Sequence, residues 1–539
     1  MASSFQPSVW GDFFINYSPP ISQNSEEWMK ERANQLKEHV RGLFGLSNDA
    51  AETLHLVDAL QRLGIQHHFE EQIVDALRSI HSAEFNSCNL HHVALRLRLL
   101  RQHGFWVSPD EFDKFKTEGG TFNSEITNDP RGLLSLYNAA HLLTHGEAVL
   151  EEAILFSRHH LESMASKLKS PLAEQVRRAL QIPLPRTMER IETLNYISEY
   201  KHEEAYNPSL LELAKLDFNL LQRFHVSELK TISHDGWKDL YGEVGLSYAR
   251  DRMVECYFWA FSVYYEQEHT RARMILAKVF ALTSLLDDTY DVFATLEDSR
   301  KLNEAIQRWD LSCVSVLPEY MKKYYIKLKP EEKFRVAYNI KMVSWQLRIY
   351  DSTTCSYTHK FQTLSQYYFQ EAQWFHSNYV PSFKEHIDVS IITSGAPMIC
   401  VALLVGMGEV ATKEAFEWAI GCPDTFRAAG EVTRFVDDIA AFKNGKNKMD
   451  VANSVECYIK EYKVTDDVAI AKIESLDQDA WKTMNQAFLD GGAWLPLVKR
   501  AANLAMSMEF LFQNNRDAYT FSKYSKDTIE QLFVKPIPL

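Results

Sequence analysis

At 539 residues the chain is long enough for about two to four domains. Hydrophobic residues make up 46% and charged residues 24%, the balance of an ordinary globular chain, and a net charge of −14 argues against a general nucleic-acid surface. An anionic ligand would need locally placed cations.

The first stretch, residues 1–14, has no basic region followed by a long apolar run, and it lacks the Arg-rich, acid-poor character of an organelle leader. Helical spacing of apolar residues then dominates. Residues 26–46, 54–63, 94–103 and 132–142 each read as an amphipathic helix, with breaks at Gly64, Gly104 and Gly146. His67-His68 followed by Glu70-Glu71 has metal-ligand composition, but the spacing reads better as a polar helix start. Pro183-Leu184-Pro185 and the polar stretch 199–207 mark a boundary, predicting domains 1–206 and 207–539. Residues 210–229 open the second helical block. With 20 Gly, 17 Pro and few hairpin turn signals, the whole chain is predicted to be all-α. The run 399–407 is among the longest apolar ones and stops well short of the ~20 residues of a membrane span. Seven dispersed cysteines without CxxC or zinc spacing predict free thiols in a reducing compartment. A soluble, cytoplasmic protein is expected.

Chemistry concentrates in the second half. Ser284-Leu285-Leu286-Asp287-Asp288-Thr289-Tyr290-Asp291 reads as an apolar helix ending in carboxylates. Asp287 and Asp291, at i and i+4, share a face, and Asp288 points about 100° away. Two carboxylates one turn apart suit magnesium, which completes its shell with water and substrate phosphates. Arg250-Asp251-Arg252 stands at a helix entrance, and Arg434-Phe435-Val436-Asp437-Asp438 forms a second basic-then-acidic cluster. Guanidinium forks there could grip phosphate oxygens. Trp259, Phe261, Tyr290, Trp374, Phe512 and Tyr519 lie near these clusters in sequence, and their π faces could stabilise a cation with no hydrogen-bond donors.

These residues, in this order, resemble the plant terpene synthase family, in its cytosolic sesquiterpene synthase type. The likeness runs from Phe5-Gln6-Pro7-Ser8-Val9-Trp10 through Leu63-Gly64-Ile65, Leu213-Ala214-Lys215-Leu216-Asp217-Phe218-Asn219, the arginine pair, the DDxxD and Glu371-Ala372-Gln373-Trp374 to Asp517-Ala518-Tyr519-Thr520. The resemblance implies a C-terminal class I α-bundle holding the active site, an N-terminal relic α-barrel domain, and an N-terminal segment, residues 5–14, that caps the site. It implies a monomeric, magnesium-dependent enzyme, with manganese as the alternative ion, that ionises and cyclises the prenyl diphosphate farnesyl diphosphate. In that reading Asp287, Asp291 and Asp437 hold metal. Arg250, Arg252 and Arg434 bind the diphosphate, Trp259 contacts substrate, and Tyr519 joins the catalytic set. No DxDD occurs in the first half, so protonation-initiated cyclisation is not expected.

The sequence departs from the family at its second metal motif. Asp437 holds the first position, but Ala441 and Gly445 stand where hydroxyl and carboxylate ligands belong. Asn444 and Asp450 are candidate substitutes, and Lys443, Lys446 or Lys448 could replace metal charge. Phe512 stands where relatives commonly carry Tyr, and residues 326–370 fit the family pattern poorly. The alternative to an active enzyme is a relative that keeps the fold with an eroded second metal site.

Overall fold

The computed structural model describes residues 5–19, 25–46, 49–234, 248–328, 344–444 and 451–539. No strand occurs among them, and a lone antiparallel bridge joins Lys116 to Phe122. The helices expected from sequence form as Glu26–Leu43, Ala50–Arg62, Leu90–Gln102, Pro130–Ala140 and Pro208–Ile232. Side-chain caps define several starts: Ser25 accepts from Trp28, Asp49 from Ala51 and Asn89 from His92. The break at Gly64 is obligatory. Its φ is +70°, and a Cβ there would lie 2.3 Å from Thr193 Oγ1.

The chain divides into two compact units. One comprises residues 1–18, 226–480 and 500–527, the other residues 19–225, 481–499 and 528–539. The expected boundary at 206/207 falls just before helix Pro208–Ile232, whereas the compact units part within that helix, at 225/226. The reason lies in distant hydrogen bonds. In the second unit the Asn219 amide donates to Ile537 O and that of Gln222 to Leu532 O and Lys535 O. Asn485 likewise donates to the carbonyls of His141 and Leu143. These contacts draw chain from far downstream into the unit.

In the first unit, helix Met253–Val263 packs on helix Thr270–Asp288, the site helix, with Trp259 against Phe280; Cys256, Ala260, Leu276 and Val279 of the two helices are buried. Helix Asp424–Asn444 faces it, anchored by Phe435 and Ile439 in a cluster with Val455, Ala469 and Ile473. Gly430 lets this facing helix approach closely: a Cβ there would stand 2.9 Å from Ile391 Cγ2. The continuous stretch Phe383–Leu403 is long and apolar enough, by length and composition alone, to cross a membrane. Most of it is buried inside the protein, and it acts as core. It bends at Gly395, φ +76°.

The site helix is tied to the end of helix Pro208–Ile232 by a buried ion pair. Arg273 is fully buried; its Nε and Nη2 donate to Glu228 at 2.7 and 2.9 Å, and Tyr257 OH donates to the same carboxylate at 2.6 Å. Arg273→Met strands that carboxylate and is expected to cost about 3–5 kcal/mol. Urea unfolding checks this, and Arg273→Met with Glu228→Gln should recover part of the loss.

Candidate active site

The site is built from two similar constructions on opposite helices. The site helix widens after Asp288 into a π-helical turn, Thr289–Phe293, a form often found at functional positions. Asp288 turns inward and is buried. It accepts from the Arg250 backbone N–H at 2.7 Å, with Arg250 Nε 2.9 Å away. Arg250 Nη2 reaches on to Asp287 at 2.7 Å, and Nη1 to Thr520 Oγ1 at 3.0 Å. On the facing helix Arg434 pairs with Asp437 and, through Nε at 2.8 Å, with Asp438. Asp438 is also buried, and accepts from Ser454 N–H at 2.7 Å and from His386 Nε2 at 3.2 Å.

The two buried aspartates differ electrostatically. Burial pushes Asp288 up to about 6 against the pull of Arg250. At Asp438 burial acts in the same sense, but Arg434, His386 and the Ser454 N–H together hold the carboxyl below its ordinary value.

Between the helices lies a polar chamber of about 620 Å³, lined by Asp287, Asp291, Arg250, Arg434, Asp437, Glu371 and Arg516 among others. A smaller pocket of about 140 Å³ is lined by Trp259, Phe280, Tyr368, Ile399, Met508, Leu511, Phe512 and Tyr519, with polar Thr283 and Ser284. Arg250, Asp287, Arg434, Asp437, Phe512 and Asp517 border both. Charged groups therefore ring the junction between a polar space and a mixed one, where aromatic and aliphatic side chains stand beside the hydroxyls of Thr283, Ser284, Thr393, Ser394 and Thr433. Trp259 stacks on Phe280 with ring centroids 4.3 Å apart and meets Tyr519 edge-on at 5.7 Å. Burial raises the Tyr519 hydroxyl and pushes the neighbouring Cys256 thiol up to about 12, so both stay protonated.

Of the residues singled out from sequence, Asp287, Asp291, Arg250, Arg434, Asp437, Trp259 and Tyr519 come together here. Arg252 does not. It is 1% exposed, and its guanidinium donates to the carbonyls of Asp251, Gln6, Tyr519 and Thr520, so it braces the backbone instead of facing the chamber. Phe261 is core, and Trp374 packs on Tyr379. Sequence reasoning missed Glu371, Tyr368, His386 and Arg516. Glu371 stood out only within the family-like stretch 371–374, with no role assigned, and Tyr368 lies three residues before it on the same helix face. Burial pushes Glu371 up to about 8 despite Arg434, with Asp287 and Asp438 adding to the rise.

At the second acidic cluster Ala441 contributes only a methyl to the chamber wall. The Asn444 side-chain amide donates to the carbonyls of Ala440 and Asn515. Lys443 is exposed, while Gly445, Lys446, Lys448 and Asp450 lie outside the described residues. The acidic donor set on the site helix, Asp287 with Asp291, fits a hard divalent cation; the facing set retains Asp437 alone of its expected three.

The N-terminal segment reaches this region as coil followed by the short helix Phe13–Asn16. The Phe5 ring lies 5.4 Å from the Arg250 guanidinium, Gln6 O accepts from Arg252, and Ser8 Oγ donates to Glu255 at 3.0 Å.

Residues 9–180 match the family described as terpene synthase, N-terminal domain, and residues 238–483 the terpene synthase family, metal binding domain. The tau-cadinol synthase of Zea mays is 57% identical over 557 residues, covering 100% of this chain and 98% of the relative. The alpha-copaene synthase of Zea mays is 52% identical, covering 99% of each. Isoprene synthase from grey poplar, solved with three Mg2+ ions and dimethylallyl-S-thiolodiphosphate, superposes with a TM-score of 0.83 at 29% identity, covering 95% of this chain and 97% of that one.

Burial pushes the Glu255 carboxyl up to about 7, from an ordinary 4.5. The folded state then holds a proton that the unfolded state releases, so this contribution is complete below about pH 4.5 and is lost as pH rises through about 7. Glu255→Gln should therefore gain melting temperature relative to wild type between pH 5 and pH 8. Parallel melting curves across that range would show that Glu255 does not titrate there.

Proposed function

The chain belongs to the terpene synthase family, and from that premise we propose that it is a class I sesquiterpene synthase, monomeric and cytoplasmic, that ionises and cyclises farnesyl diphosphate. The observation that carries this reading is the ring of charge at the junction of two spaces. Asp287, Asp437, Arg250 and Arg434 border both the polar chamber and the aromatic pocket. In this reading the diphosphate would occupy the polar chamber and the hydrocarbon chain would extend from it past the junction into the pocket. Six described cysteines are free thiols, in keeping with a reducing compartment.

In this reading the allylic C–O bond breaks and its electron pair leaves with diphosphate. Arg250 and Arg434 are held at the junction by their aspartate partners and turn charge toward the departing anion, where it matters most as the bond stretches. The rings of Trp259, Phe280 and Tyr519 line the pocket where the carbocation would be left, and any π face turned to it would be attractive. The protonated Tyr519 and Cys256 offer it no strong nucleophile. The apolar wall of Ile399, Met508, Leu511 and Phe512 limits water. A divalent cation, magnesium by ligand hardness with manganese as the alternative, would be held by Asp287, Asp291 and Asp437 and would neutralise the leaving diphosphate. Arg252 serves this chemistry indirectly, by fixing the 519–520 backbone against Gln6.

Incubation of the purified protein with farnesyl diphosphate and magnesium should release a sesquiterpene detectable by mass spectrometry. Asp287→Ala and Asp291→Ala should each lower kcat/KM on the order of 10²-fold or more, with melting temperature nearly unchanged. Substantial activity in both variants would remove these residues from the metal-binding role.

The second acidic cluster generates a separate expectation. Ala441→Thr with Gly445→Glu adds oxygen ligands beside Asp437 and should lower the magnesium concentration for half-maximal rate. Gly445→Ala is the control, because replacing a Gly alone adds up to ~1 kcal/mol of local stability wherever the position is helical. An inert wild type rescued only by the double variant would establish the inactive reading instead.

A further inference from the structure

The second compact unit contains a side-chain cluster that terpene chemistry does not use. His67 and His68 occupy the short 3-10 turn Gln66–His68, and Asp217 lies on helix Pro208–Ile232. His68 Nε2 is 2.8 Å and His67 Nε2 3.4 Å from the same oxygen, Asp217 Oδ1. One donor atom from each of the three residues lies within 4.8 Å of the other two. The side chains are largely enclosed, at 8%, 18% and 7% exposure for His67, His68 and Asp217. Glu70 and Glu71, the acidic neighbours in sequence, are exposed, and the fold supplies Asp217 in their place.

Two imidazoles aimed at one carboxylate oxygen are more than hydrogen bonding needs. His68 makes the shorter contact, 2.8 Å, and His67 a longer one, 3.4 Å, to the same oxygen. The rings are 3.8 Å apart between centroids, a poor arrangement for two imidazolium charges. Ligands about 2.0–2.1 Å from a tetrahedral ion stand roughly 3.3–3.4 Å apart, so the His67 spacing already matches and the His68 spacing needs a small opening. The outer support for such a site is present. Arg190 Nη1 lies 3.4 Å from Asp217 Oδ2 and 3.2 Å from Gly64 O, fixing the carboxylate from its far side. The Arg190 charge, and that of Lys37, which also interacts with Asp217, weaken cation affinity without removing the ligand set. Two nitrogens and one oxygen favour a borderline transition ion over magnesium, which prefers oxygen.

We propose that His67, His68 and Asp217 form a binding site for a divalent transition metal ion, zinc foremost, with water as its fourth ligand. The ion clamps the turn Gln66–His68 to helix Pro208–Ile232 inside the second unit.

Equilibrium dialysis of the full chain against zinc, with excess magnesium present to occupy the acidic chamber, tests this. Wild type should hold one zinc more tightly than His67→Ala does, by at least tenfold in apparent affinity, and zinc-edge X-ray absorption of wild type should report two imidazole ligands. Asp217→Asn should lose the same zinc; where that buried substitution impairs folding, His67→Ala, less constrained at the turn, decides. Equal zinc binding by wild type and His67→Ala, or a zinc spectrum with oxygen ligands alone, overturns the proposal.

Discussion

The candidate site depends on one constraint used twice: an arginine held between two consecutive aspartates. Arg250 spans Asp287 and Asp288, and Arg434 spans Asp437 and Asp438. In each case the second aspartate is buried and anchors the guanidinium, while the first, 31% and 34% exposed in its side chain, opens to the chamber. An unpaired buried charge would be very costly, so each arginine has little freedom to leave the junction. That fixes cationic charge at the border between a polar and an aromatic space with little reorganisation. Preorganised charge of this kind is what a departing anion rewards.

The two anchors are not equivalent. Asp438 has Arg434, the Ser454 N–H and His386, enough to keep its carboxyl ionised despite burial. Asp288 has Arg250 through side chain and backbone, and burial still lifts it to about 6. The site-helix half therefore sits closer to neutrality when no cation is bound. A positive ion near Asp287 and Asp291 would favour ionisation of Asp288 as well and so tighten its hold on Arg250.

Much of this was legible in the sequence because it is local. Helix periods, glycine breaks and the i, i+4 spacing of Asp287 and Asp291 depend on near neighbours, as does the direction of Asp288 away from them. What escaped was non-local. Arg252 reads like Arg250 in sequence, and only the return of residues 519–520 and the N-terminal segment supplies the carbonyls that bury it. Glu371 owes its raised pKa first to burial, with Asp287 and Asp438 adding to the rise and Arg434 opposing it, all three on other helices more than 60 residues away. The division between compact units within helix Pro208–Ile232 escaped for the same reason, since no composition change marks where Asn219 and Gln222 find the C-terminal segment.

The facing helix shows what losing ligands does to the balance of charge. Asp437 shares its carboxylate with Arg434, and Ala441 adds no oxygen. A cation bound there competes with a guanidinium for the one carboxylate and keeps more of its water, so its hold is weaker than three oxygens would give. Asn444, one candidate for a substitute ligand, instead spends its amide on Ala440 and Asn515. That contact secures the end of the facing helix to the loop where Asn514 and Asn515 both adopt positive φ and where Arg516 enters the chamber wall. The chain thus trades metal-binding oxygens at this end for a braced loop carrying a further cation. In the proposed reading, neutralisation of a bound diphosphate would fall more to Arg434, Arg516 and a cation held by Asp287 and Asp291 than to one held by the facing helix.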